Sequence, residues 1–412
     1  VPAHRSGKLF AGIGGLIAIA LAALLFPLSA SAHAYSASYT TIALTKSGTV
    51  VTYAIDELSV IEWAGGDANG NNMLDPEEFD AVKTPFAEVY NKNVALTIGG
   101  KPQTPVKIEN YYLDRKGDAT KVFLQVRYPA PSGGESVSLT DKLYEKDAKT
   151  NYVNLLTIQF GSGRSTAALS GGDRTWAMQV TDDEFAALPA DVDQAAAANG
   201  GSQTGGASQA ASVTSDASDN AAAENGGHGA TSGWYSFFKL GMHHILGGYD
   251  HLLFLFSLLI ARQSFRQYFT MITAFTVAHS ITLTLTVLGW ISVPGSIVEP
   301  MIALSICYVA IDNMARPHVS YRWLLTFLFG LIHGMGFADI LVGMDIPRKE
   351  LGVDLVSFNL GIETVQLAIV CAALPIIFAL HRYRHARKFV LAGSSTALLL
   401  GGIWLVERVF IG

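Results

Sequence analysis

Several polar side chains stand inside long apolar runs in the second half of this sequence. His244, Asp250 and His251 fall in the first run, His279 in the second, His333 in the fourth, and Asn359, Glu363 and Gln366 in the fifth. An ionisable group within hydrocarbon is costly and ordinarily faces a polar site or a water-filled cavity. His244 and His251 are seven residues apart, nearly two full turns, so a continuous helix puts them on one face. Asn359, Glu363 and Gln366, at i, i+4 and i+7, make one polar stripe. Counted from the outer ends of their runs, His251, His279, His333 and Glu363 all lie about ten residues down, roughly 15 Å at 1.5 Å per residue. Imidazole and carboxylate converging at one depth from several helices suit a divalent transition metal such as nickel, zinc, iron or copper. Asp250, off the face of His251, reads as a partner that orients an imidazole. The competing reading is interhelical hydrogen bonding, with Gly330 and Gly334 letting helices approach closely.

The runs that carry these residues fall at about 241–261, 268–289, 297–314, 323–343, 352–380 and 389–408, each near the ~20 residues that cross a bilayer as a helix. They imply an all-α polytopic bundle of six transmembrane helices. Arg262 and Arg266, then Arg316 and Arg322, then Arg382, Arg384, Arg387 and Lys388 gather in alternate loops, which the positive-inside rule places in the cytoplasm. Asp312 and Asn313 read as boundary residues at the cytoplasmic end of the third run, and Glu299 as part of a vestibule at its outer end. Glu407 and Arg408 are placed to pair with each other at the end of the last run. Half of the residues are hydrophobic and 15% are charged, which excludes an ordinary soluble domain and makes the lipid bilayer the first partner. Nothing in the charge pattern points to nucleic acid.

Residues 1–32 read as an export signal, with His4, Arg5 and Lys8 ahead of an apolar core and Ala30-Ser31-Ala32 as a small-residue cleavage site. Cleavage after Ala32 exposes His33, whose amine and imidazole can chelate copper; cleavage after Ala34 removes that site. Residues 33–190 read as a β-rich, sandwich-like extracytoplasmic domain, from alternating runs such as Lys121-Val122-Phe123-Leu124-Gln125-Val126 separated by turn residues. Its only route to stability is its own core, because Cys307 and Cys371, the two cysteines, both lie in the apolar runs. Residues 191–232, mainly Ala, Gly, Ser, Asn and Asp, read as a flexible linker between two independent folding units ahead of the membrane part at 233–412.

Within the β-rich part, residues 67–78 space oxygen donors as an EF-hand loop does. Asp67, Asn69, Asn71, the Met73 carbonyl, Asp75 and a bidentate Glu78 make a hard-oxygen set suited to calcium. Asn72 stands at the sixth position where glycine is usual, and asparagine tolerates the left-handed backbone needed there. The alternative is a polar Asx-rich turn capping a helix that starts near Pro76.

The run Gly241-Met-His-His244-Ile-Leu-Gly-Gly-Tyr-Asp250-His251, together with Ala274-Phe-Thr-Val-Ala-His279, Phe329-Gly-Leu-Ile-His333-Gly and Phe358-Asn359-Leu-Gly-Ile-Glu363, resembles the HupE/UreJ hydrogenase and urease accessory membrane proteins, in the larger branch with an external domain. The resemblance covers about 233–412 and implies nickel or cobalt uptake that requires the histidine/aspartate motif. Smaller members carry a second motif with two histidines and a glutamate, where this chain has His333 alone. The metal therefore stays open among nickel, cobalt, zinc and copper. Three functions fit these residues: a transition-metal permease or metal-handling accessory protein, an intramembrane metal-dependent hydrolase, and a membrane-anchored sensor or assembly factor whose external domain binds a protein partner.

Overall fold

A computed structural model describes residues 35–116, 119–147, 150–161, 163–191, 233–316, 321–342, 348–382 and 386–410. The export signal, His33, Arg384 and nearly all of the linker lie outside the described residues.

Among the described residues, the first part is built from ten strands. β1 (Tyr35–Thr45), β2 (Gly48–Asp56), β5 (Lys107–Lys116), β6 (Ala119–Tyr128), β8 (Asn151–Phe160) and β9 (Gly163–Ser170) form one sheet in the order β5-β6-β2-β1-β8-β9. Only β1 and β8 pair in parallel within it. β3 (Val94–Ile98), β4 (Lys101–Pro102), β7 (Ser136–Asp141) and β10 (Thr175–Gln179) form a second, antiparallel sheet in the order β10-β7-β3-β4. Alternation decides which face is inward: in β6, Val122, Leu124 and Val126 are buried while Lys121, Phe123 and Gln125 alternate with them. Ile42, Tyr53 and Leu124 of the larger sheet share one apolar core with Leu96, Leu139 and Trp176 of the smaller. Helix α1 (Glu57–Ala64) follows β2, and α2 (Pro76–Asn93) adds Val82, Phe86 and Tyr90 to that core. A short helix, α3 (Asp182–Ala187), follows β10.

The core also holds a polar knot. Asp141, fully buried, accepts hydrogen bonds from the Tyr152 hydroxyl (2.5 Å), the Asn154 amide (2.6 Å) and the Leu143 backbone N–H (2.9 Å). Burial pushes its carboxyl above the ordinary carboxylate range, and these bonds and the charge of Arg174 pull the other way.

The second part is helical: α4 (Gly233–Gly247), α5 (Tyr249–Leu259), α6 (Phe265–Val287), α7 (Gly295–Ala315), α8 (Arg322–Gly336), α9 (Ala338–Val342), α10 (Arg348–His381) and α11 (Ala386–Phe410). Among the described residues four helices, α6, α7, α10 and α11, are long and apolar enough to cross a membrane. Of the six transmembrane helices expected, these four are present as single long helices, and each of the other two runs is divided. The first run is cut at Gly248 into α4 and α5, and the fourth is cut at Phe337 into α8 and α9. At 1.5 Å per residue a 15-residue helix reaches only about 22 Å, short of the ~30 Å hydrocarbon layer.

The two parts pack against each other. Val153, Leu155 and Ala168 on the outer face of β8 and β9 join Phe237, Leu240, Phe358 and Ile362 of α4 and α10 in one apolar cluster. Polar contacts run along the same seam: Thr166 donates to Asp354 (2.7 Å), Ser236 accepts from the Ala168 N–H (3.1 Å), Lys239 pairs with Asp173 (2.7 Å), and Asn151 donates to the Gly247 carbonyl (2.8 Å). α4 is thus held between the β8–β9 hairpin and α10. Replacing Asp141 with Ala leaves the Asn154 amide buried without its acceptor. The expected cost is about 3 kcal/mol, read as a lower midpoint for the β-rich part in chemical denaturation.

Candidate intramembrane metal centre

His244 ends α4 and His251 opens α5, and the break between them is shaped around the imidazoles. The Gly248 N–H donates to the His244 carbonyl at 3.0 Å, and the Gly248 carbonyl accepts from the Leu252 N–H at 3.0 Å. A Cβ on Gly248 would lie 2.8 Å from the His244 carbonyl oxygen and 2.8 Å from His251 Nδ1, so a side chain has no room. The two rings meet edge to face, centroids 4.6 Å apart.

His279 and His333 come from α6 and α8, which run side by side because Gly334 lets the helices touch. A Cβ there would lie 2.4 Å from the His279 carbonyl oxygen. Where α4 crosses α10, Gly241 and Gly361 play the same part, each with an ideal Cβ position about 2 Å from a carbonyl oxygen of the other helix. These contacts bring His244, His251 and His279 to a common point where one ligand atom from each lies within 4.8 Å of the others. The His333 ring stands 5.2 Å from that of His251. All four imidazoles are buried.

Each of three rings is held through Nδ1 by an oxygen. His251 Nδ1 is 3.0 Å from Asp250 Oδ1, His279 Nδ1 is 3.3 Å from Asn359 Oδ1, and His333 Nδ1 is 2.8 Å from the Phe329 carbonyl. The Asn359 amide nitrogen donates to the Leu355 carbonyl (2.8 Å), which turns its oxygen toward His279. Carboxylate and carbonyl oxygens accept, so Nδ1 carries the proton in each neutral ring and Nε2 keeps its lone pair. The Nε2 atoms of His251, His279 and His333 are buried with no hydrogen-bond partner. Buried acceptors left unpaired are costly, and several together fit a site that receives a cation. Around them stand Phe337, 4.3 Å from the His244 ring and stacked on Phe358, and Phe254 and Phe275 beside His333.

Glu363, expected at the same depth, stands half-buried and outside this group. Its stripe divides: Asn359 turns to His279 and Gln366 accepts from the Thr276 hydroxyl (3.1 Å), while Glu363, at the edge of the stripe about 40° from Asn359 and about 60° from Gln366 around the helix, stands apart. Asp312, Asn313 and Arg322, read as boundary or loop residues, are buried instead. Arg322 hydrogen-bonds Asn313 and lies 3.5 Å from Asp312, and Asn313 donates to the Ser257 carbonyl (2.7 Å). Arg408 pairs across the bundle with Asp250 (3.3 Å) and with Glu299 (3.7 Å). Sequence spacing does not reveal that link, because α5, α7 and α11 are far apart along the chain.

In the β-rich part, the 67–78 loop folds inward on its oxygens. Asp67 accepts from the N–H groups of Gly70, Asn71 and Asn72, Asn71 Oδ1 from that of Met73, and Glu78 from those of Ala68 and Asp75. Asn72 takes a φ of 60°, the left-handed conformation a sixth-position residue needs. Leu74 is buried, its N–H donating to Glu57 (2.6 Å) and its carbonyl accepting from Arg115 (2.8 Å), which fastens the loop to α1 and β5. Asp75 and Glu78 also form a capping box on α2.

An apolar helical bundle enclosing a buried histidine cluster, with a two-sheet β-rich part packed on one flank, defines a polytopic membrane protein with a candidate metal centre. Residues 219–408 match the family model described as HupE / UreJ protein. No curated protein matches the chain.

Two substitutions probe the centre. Gly248→Ala forces a methyl against His251 Nδ1, and Asn359→Leu removes the acceptor on His279. Each is expected to weaken divalent transition-metal binding by about 10- to 100-fold, measured by competition with a chromogenic chelator on the purified protein.

Proposed function

We propose that this chain is a membrane permease for a divalent transition cation of the nickel/cobalt class. The cation is cargo, held in passing by His244, His251 and His279, with His333 beside them and Asp250 and Asn359 holding the imidazoles in register. The observation that carries this reading is the convergence, from separate helices, of buried Nε2 atoms without partners while their Nδ1 atoms are held from behind. Imidazole ligands suit nickel, cobalt, copper and zinc, and the likeness to HupE/UreJ proteins supports nickel or cobalt among them. In this reading the two broken helical segments complete a six-pass bundle in the cytoplasmic membrane, with the β-rich domain outside it.

The hydrolase alternative needs a carboxylate free to activate metal-bound water. Asp250 is engaged by His251 and Arg408, and Glu363 stands outside the cluster, which favours transport. We also assign calcium to the 67–78 loop, through Asp67, Asn69, Asn71, the Met73 carbonyl, Asp75 and Glu78. Calcium there would brace the sandwich where α1, α2 and β5 meet.

Purified protein is expected to carry a transition metal, and proteoliposomes to take up nickel or cobalt; His251→Ala abolishes both. Bound metal without flux would support a resident cofactor instead, and absence of both would refute a metal role. For the loop, saturating calcium at about 100 times its Kd raises stability by about 2.7 kcal/mol, seen as a higher Tm of the β-rich part. Glu78→Gln removes most of that gain; equal melting with calcium and with chelator would leave the loop a helix cap.

A further inference from the structure

We propose that Arg408 gates the cation's path to the histidine cluster, its guanidinium closing an acidic ladder formed by Asp250 and Glu299. The proposal rests on reading the cluster as a cation site. Asp250 spends one carboxylate oxygen on His251. Its other oxygen faces Arg408 Nη2 at 3.3 Å. The same guanidinium donates from Nη1 to the Glu299 carbonyl (3.1 Å), and its Nε lies 3.7 Å from the Glu299 carboxylate. Side-chain exposure climbs along this chain of contacts: 7% at His251, 17% at Asp250, 20% at Arg408 and 60% at Glu299. The ladder therefore runs from the buried cluster to the surface.

Two features make Arg408 a gate rather than a brace. Its contacts with the carboxylates are long, and such hydrogen bonds are weak. At the opposite end of α11, Arg387 donates to the Asn313 and Met314 carbonyls at 2.8 and 2.5 Å, both of them backbone acceptors. α11 is thus fastened to α7 tightly at one end and loosely at the end beside the cluster. The charges supply the selectivity: two carboxylates and one guanidinium leave the closed ladder with a single negative charge. Swinging Arg408 aside exposes two, which match an incoming dication.

The test reads access without needing a bound metal. In full-length protein with Cys307→Ser, Cys371→Ser and His251→Cys, reconstituted in nanodiscs, the new thiol is labelled with a cationic and with a neutral methanethiosulfonate. Arg408→Gln is expected to speed cationic labelling by about tenfold and neutral labelling much less, and adding Glu299→Gln removes most of the cationic advantage. Arg408→Lys, which keeps the charge but cannot bridge two carboxylates, falls between and serves if the glutamine variant does not fold. Unchanged rates in either Arg408 variant, or equal acceleration of both reagents with no effect of Glu299→Gln, would overturn the gate. Metal content of the unsubstituted protein is measured in parallel. Labelling as expected with no metal bound would refute the cation site and leave a gated route; metal bound with unchanged labelling would refute the gate alone.

Discussion

Burying several imidazoles among phenylalanines is the constraint on which the helical part depends. Each ring brings two nitrogens into the buried interior, and a buried polar atom without a partner is costly. The bundle meets half of this demand from within. Asp250, Asn359 and the Phe329 carbonyl occupy the Nδ1 atoms of His251, His279 and His333 and leave the Nε2 atoms directed inward. A set of imidazole nitrogens held from behind and unpaired in front has the donor chemistry that suits a divalent transition ion. The same arrangement makes little sense as packing glue, because glue would pair the inward atoms with one another.

Close helix approach is what makes that arrangement reachable. An imidazole extends only a short way from its backbone, so histidines on four helical segments meet only if the axes are near. Gly241 and Gly361 at the α4–α10 crossing, and Gly334 between α8 and α6, remove the side chains that would hold those axes apart. Gly248 does so at smaller scale, giving up the helix for one residue so that His244 and His251 face each other across the break. The cost is a helix too short to cross the bilayer alone. The β8–β9 hairpin lies along α4 and covers the face that α10 does not, so the β-rich part is structural support for one wall of the site as well as a domain of its own.

The two ends of α7 and α11 show how differently similar residues can be used. Both ends carry an arginine of α11 against α7, yet Arg387 grips backbone carbonyls while Arg408 is shared loosely between two carboxylates in line with His251. Arg322 and Asp312 add a buried pair on the Arg387 side. The histidine cluster thus lies beside the loosely tied end, linked to Arg408 through Asp250, and away from the firmly tied one.

The sequence by itself determined the classes of element. Two-residue alternation in Lys121-Val122-Phe123-Leu124-Gln125-Val126 marks a strand buried on one face, and apolar runs of helical length mark the bundle, since these periodicities follow from local backbone geometry. It also named the histidines, because an imidazole in an apolar run is conspicuous wherever it lands. Tertiary structure decided everything that depends on axes and crossings. The break at Gly248 is invisible to hydropathy, because glycine is apolar enough to continue a run. Glu363 shares a stripe with Asn359 and Gln366 on paper, but a modest rotation about α10 separates it from the cluster. Arg408 looks like a terminal residue beside Glu407 until α11 is laid against α7 and α5, when it becomes the nearest cation to Asp250. Local sequence sets which side chains are available, and only the packing of distant segments determines which of them meet.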